Sequence, residues 1–143
     1  MFIGEYSHSI DEKNRMAIPV RFRKALKQGA VVTRGLDNCL FLLTKHDWQK
    51  LVDKISDLPL GKADARGFSR VMLAGAMEIK PDQLGRILIP DYLKKYACLK
   101  KKVVVAGVYN RLEIWDDAKW SSYKNKIERS ADKLAETMGE MGV

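Results

Sequence analysis

Two arginines are the residues in this chain best suited to chemistry. Arg15 lies in DEKNRMAIP (11–19) and Arg86 in DQLGRILIP (82–90). Each phrase reads Asp, three residues, Arg, two residues, Ile-Pro, and the second starts 71 residues after the first. A guanidinium fork can donate two parallel hydrogen bonds to the O6 and N7 of guanine, and a nearby carboxylate can orient it for that task. Arg15 and Arg86 are therefore candidate base-reading residues, with Asp11 and Asp82 as the residues that orient them. The competing reading is an ion pair that only closes the turn, worth roughly 0–1 kcal/mol when exposed.

The surrounding charge favours the first reading. The chain of 143 residues carries a formal net charge of +8 and a pI near 9.5. Segments 11–34 and 80–102 each hold seven basic side chains against two acidic ones, so the remainder of the chain is slightly acidic. Positive charge gathered around the repeated phrase suits a polyanion such as double-stranded DNA. Lys13, Arg21, Arg23, Lys24, Lys94 and Lys95 complete the candidate DNA-binding set, with Lys24, Lys94 and Lys95 directed mainly to phosphates. Two solvated basic faces without a partner remain the alternative from charge alone.

The phrase must sit on a turn. Asp takes the first turn position and Asn14 or Gly85 the fourth. A type I turn followed by a positive-φ residue forms a short hairpin loop with a bulge. Gly fits that fourth position, and Asn is the best substitute. The flanking residues predict a short strand at Gly4–Ile10 or Gly75–Lys80 and a second at 15–19 or 86–90. In the second strand Met16 and Ile18, or Ile87 and Ile89, share one face. Pro19 and Pro90 then open short helices. Further strands follow at AVVTR and CLFLL, then at KVVVA and LEIW.

The repetition extends past the phrase. GLDNCLFLLTKHDW (35–48) aligns with GVYNRLEIWDDAKW (107–120), and VVT (31–33) with VVV (103–105), at an offset of 72. Two units result, 5–47 and 76–119. Each closes with an amphipathic helix: Trp48, Leu51, Val52, Ile55 and Leu58 before Pro59, then Trp120, Tyr123, Ile127, Leu134 and Met138 after Asp116 or Asp117. A further helical stretch is expected near Asp64–Leu73. Units this small bury little alone, so they should share one core. The expected fold is α+β, with two four-stranded halves interleaved into one β-barrel and helices outside.

Other classes fit poorly. The two cysteines, Cys39 and Cys98, lie 59 residues apart without metal-ligand spacing, so neither a metal site nor a disulfide scaffold is expected. His8 and His46 share no repeat position, and no Gly-rich phosphate loop appears, so neither an enzyme nor a cofactor is expected. His8 reads as a strand residue and His46 as the start of a helix. Single-stranded nucleic acid would call for aromatic stacking platforms that are missing. No secretory signal and no apolar run of membrane-spanning length is seen, which fits a cytoplasmic protein. The rival class is a protein-interaction module, antitoxin-like or a scaffold, whose basic faces bind nucleic acid non-specifically.

The doubled D-x-x-x-R-x-x-I-P phrase and the opening MFIGEYSHSIDEKNRMAIP resemble the MraZ family over essentially the whole chain. The resemblance implies a bacterial transcriptional regulator of two SpoVT-AbrB-type units, folded as a double-split, swapped-hairpin β-barrel. It implies ring-shaped homo-oligomers on the nucleoid, bound to short G-containing direct repeats upstream of division and cell-wall genes. The residues carried over are Asp11, Arg15, Asp82 and Arg86. Asn14 stands where the family's first phrase usually has Gly, and Leu84 stands where the first phrase here has Lys13.

Overall fold

Burial of the phrase's own apolar residues organises the molecule. Met16, Ile18, Ile87 and Ile89 are at most 1% exposed and lie in one cluster of 19 buried residues contributed by both halves. The structure is a computed structural model describing all residues, Met1–Val143. It is an α+β chain with eight strands, all paired antiparallel.

The N-terminal half contains β1 (Phe2–Ser9), β2 (Arg15–Ala17), a 3-10 turn (Val20–Phe22) running into α1 (Arg23–Leu26), β3 (Ala30–Arg34), β4 (Leu40–Thr44) and α2 (Lys45–Ser56). Next come α3 (Ala63–Ser69) and a π-helical turn (Arg70–Ala74). The second half contains β5 (Met77–Ile79), β6 (Arg86–Leu88), α4 (Asp91–Tyr96), β7 (Lys102–Tyr109), β8 (Leu112–Asp116), α5 (Asp117–Arg129) and α6 (Ala131–Glu140).

The strands form a six-stranded sheet, ordered β1-β7-β8-β4-β3-β5, and a separate ladder of β2 with β6. The halves are interleaved: β1 pairs with β7, β5 with β3, and β2 with β6. The expected hairpins are therefore only nominal. Ile10 bridges Met16, after which β1 goes to the large sheet and β2 to the other phrase. Crossing over lets Met16 and Ile87, paired in the ladder, turn together into the shared core.

Both faces of the sheet are covered along its central strands β3, β4, β8 and most of β7, which explains their uninterrupted apolar runs, whereas β1 and β5 are largely exposed. Leu40 and Leu42 belong to the main cluster, while Phe41 and Leu43 join a second one with Ile55 and Trp115. Trp48, Trp120 and Tyr123 pack against this second cluster, and Tyr123 stacks on Trp115 with ring centroids 5.0 Å apart.

Several boundaries differ from expectation. The ladder strands stop at Ala17 and Leu88, and Pro19 and Pro90 stand just before their helices. The proline carbonyls accept the first helical bonds, from the Phe22 and Leu93 amides, so the prolines act as caps. Helix α2 ends at Ser56, which leaves Leu58 outside it. Asp116 is the cap of α5, its carboxylate accepting the Lys119 amide. The C-terminal helix is broken at Ser130 into α5 and α6, and α6 is exposed along its whole length. No helix is long and apolar enough to cross a membrane.

Candidate nucleic-acid interface

The two Asp-x-x-x-Arg turns have the same hydrogen-bond pattern. The Asp11 Oδ1 accepts the amides of Lys13 and Arg15, each at 2.9 Å, and Oδ2 accepts Arg15 Nε at 2.8 Å. The Asp82 Oδ1 accepts the amides of Leu84 and Arg86 at 2.9 Å, and Oδ2 accepts Arg86 Nε at 2.9 Å. The Asn14 amide donates to the Asp11 carbonyl and the Gly85 amide to the Asp82 carbonyl, both at 3.0 Å. Asn14 has φ 60° and Gly85 φ 74°, the left-handed conformation the turn requires. Each turn is then tied to the opposite strand: Ile89 N–H donates to the Asn14 carbonyl and Ile18 N–H to the Gly85 carbonyl, both at 2.8 Å.

These bonds hold the Asp11 and Asp82 carboxyls below the usual carboxylate range, with the backbone amides of Arg15 and Arg86 as the largest cause. They also use only Nε of each guanidinium. The terminal nitrogens of Arg15 and Arg86 have no hydrogen-bond partner in the chain, and both side chains are about a third exposed. An oriented, unspent donor fork is what bidentate recognition of an acceptor pair needs. In the ladder, Arg15 and Ala17 share the outer face of β2, while Arg86 and Leu88 share that of β6.

Each turn is flanked by a cleft lined with cations from the other half. Beside the first turn, Lys13 and Arg15 meet Lys94, Lys100 and Lys101. Beside the second, Arg23, Lys24 and Lys27 meet Lys80. Lys94 Nζ donates to Asn14 Oδ1 at 3.1 Å, and Asn14 Nδ2 donates to Asp91 Oδ1 at 2.7 Å. Arg23 lies over Gly85 with its Nε donating to the Ile18 carbonyl at 2.9 Å, so it braces the turn.

Arg21 and Lys95 line neither cleft. Arg21 donates to the Tyr6 hydroxyl at 3.1 Å and lies on the Phe22 ring, whereas Lys95 is exposed on α4. Lys27, Lys80, Lys100 and Lys101 were not singled out among the candidate site residues, although their charge lay in the two basic segments. Their spacing carries no motif: Lys80 sits beside its own turn, while Lys27, Lys100 and Lys101 reach the turn of the other half only through the interleaving.

The histidines are apart from the turns: His8 is half-buried on β1 and His46 lies in the first turn of α2. Burial pushes the His8 pKa down, with Arg23 adding to the effect. Cys39 is buried and Cys98 exposed, both as free thiols. No group of three or more His, Cys, Asp or Glu side chains could hold a metal ion.

The family model described as "MraZ protein, putative antitoxin-like" matches residues 1–71 and again 72–141. The chain belongs to the MraZ family. A protein of Natranaerobius thermophilus called transcriptional regulator MraZ is 47% identical to it, with both chains fully covered. Proteins with the same name from Alkaliphilus metalliredigens and Acetivibrio thermocellus are each 46% identical over the full length of both chains. The MraZ repeat is thus present twice, and each copy holds one Asp-x-x-x-Arg turn.

Proposed function

We propose that this chain is a sequence-specific, double-stranded-DNA-binding transcriptional regulator of its own division and cell-wall gene cluster. The observation that carries the reading is the unspent guanidinium fork, held by the same three bonds to Asp in both turns. Arg15 and Arg86 read guanines in the major groove, which admits a two-stranded ribbon. Lys13, Lys24, Lys94 and Lys95 hold phosphates, with Lys27, Lys80, Lys100 and Lys101 extending the same charge. Arg21 and Arg23 serve chiefly to fix the scaffold. The relatives' name, transcriptional regulator, supports this assignment.

The same reading takes 5–47 and 76–119 as SpoVT-AbrB-type units of one double-split barrel. The common core and the Ile10–Met16 bridge between the two sheets support it. A ring of copies bound to short direct repeats, on the nucleoid in the cytoplasm, follows from the family resemblance. The uncovered Leu134 and Met138 of α6 suit contact with a second copy.

The test is a footprint and titration on the chain's own upstream DNA. Arg15→Ala or Arg86→Ala should each cost about 1–3 kcal/mol and relax specificity. Lys24→Ala or Lys95→Ala should weaken all DNA alike and reduce the salt dependence. Binding of target and random DNA by the arginine variants at the parent's affinities would reject base reading. It would leave the rival module, which uses its basic faces non-specifically.

A further inference from the structure

The ladder is nearly two-fold in its backbone but not in its side chains. Arg15 lies across from Leu88, and Ala17 across from Arg86. In the repeat, Leu88 occupies the place of Ala17, and Leu84 at the turn tip occupies the place of Lys13. Leu84 is 64% exposed and Leu88 56% exposed, so neither serves the core. Both leucines belong to the second phrase, and they flank the two arginines on a surface whose other exposed side chains are mostly charged or polar, with basic ones predominating.

A lysine at a turn tip serves a phosphate, and leucine cannot. On the edges of base pairs in the major groove, the one apolar group is the 5-methyl of thymine. We propose that Leu84 and Leu88 are specificity-determining residues that pack on thymine 5-methyl groups beside the guanines contacted by Arg15 and Arg86. This inference rests on the DNA reading given above.

Two equivalent strands would read a palindrome. Strands bearing Lys13 and Ala17 on one side, and Leu84 and Leu88 on the other, read a site with a direction. A directional site repeated along one strand is a direct repeat.

The experiment replaces each dT of the footprinted site in turn by dU, which removes one methyl and leaves base pairing intact. The parent should lose about fourfold in affinity at one or two positions, the yield of one buried carbon. In Leu84→Ala or Leu88→Ala protein the loss at the matching position should vanish. Both side chains are largely exposed, so these variants should melt with the parent. Leu84→Lys should bind random DNA more tightly and show no methyl dependence at its position.

If dU is neutral everywhere, or the methyl effect persists unchanged in both Leu→Ala proteins, the leucine assignment is overturned. Arg15→Ala would still lose base discrimination in that case, so the DNA reading would survive. A parent that fails to distinguish site from random DNA would overturn both.

Discussion

Asp11 and Asp82 each accept two amides and one guanidinium Nε, so each carboxylate holds its turn and aims its arginine. Their pKa values are held below the ordinary 3.8. A depressed carboxylate pKa contributes stability that is complete above the unfolded value and lost as pH falls through the folded one. Against an Asp11→Asn/Asp82→Asn protein, the parent should show a melting advantage that is full at neutral pH and closes as pH falls through the lowered carboxyl range. A gap unchanged by acid would remove the carboxylates as its source. The fourth turn position is occupied differently in the two copies. Asn14 sits at φ 60° and bonds Asp91 and Lys94 across the halves. Asn14→Gly should fold, with a loss of roughly 1 kcal/mol for those bonds, whereas Asn14→Val should cost about 1–3 kcal/mol through the left-handed backbone. Equal melting temperatures would undo the turn assignment. A Cβ at Gly85 would stand 2.6 Å from Arg23 Nε. Gly85→Ala should therefore be destabilised, and less so in an Arg23→Ala background, because the two sites are coupled.

At the scale of elements, the β2–β6 ladder is the joint between the halves, and its two faces have opposite duties. Ile87 points into the core at 1% exposure, while the next residue, Leu88, is 56% exposed. Ile87→Ala should cost about 2–5 kcal/mol in urea denaturation, and Leu88→Ala should stay within roughly 0.5 kcal/mol. Similar costs at the two positions would mean that the ladder is not a packed joint. The alternation of Met16 with Ile18, and of Ile87 with Ile89, made the buried face readable from sequence, and the spacing of Asp to Asn14 or Gly85 made the turn readable. The partner of each strand was not readable. Period-two alternation is the same whether β2 pairs with β1 or with β6, and only the three-dimensional core decides between them. The break at Ser130 was hidden for a related reason. Leu134 and Met138 continue the helical period, yet α6 has no core beneath it. The bracing role of Arg23 was hidden too, since its contact with Gly85 is 62 residues distant along the chain.

For the whole molecule, the ladder bears on how many sites one chain is proposed to read. Arg15 faces Leu88, so Arg86 is its diagonal neighbour across two antiparallel strands. Diagonal positions in such a pair are roughly 7–8 Å apart. With their backbones that close on one ladder, the two arginines are expected to serve one short site within one groove rather than two separate sites. The two basic segments, which carry the chain's excess positive charge, supply the cations that line the clefts beside both turns. One head with two arginines is too little for specific affinities of about 10⁻⁸–10⁻¹¹ M, whereas several heads on one rigid assembly gain roughly 10²–10⁴ through effective concentration. The operator is therefore expected to be a series of short direct repeats, one for each chain, recurring about every 10–10.5 bp so that each meets the same side of the duplex. Duplexes with one, two and three repeats should bind with steeply rising affinity at fixed salt. Inserting about 5 bp, half a turn, between repeats should move one head's target to the far side of the duplex and remove most of that gain. Arg15→Ala should lower the affinity for a single repeat and multiply its effect along the array. Equal affinity for one repeat and three, or indifference to the insertion, would mean that the chains do not act as an ordered array.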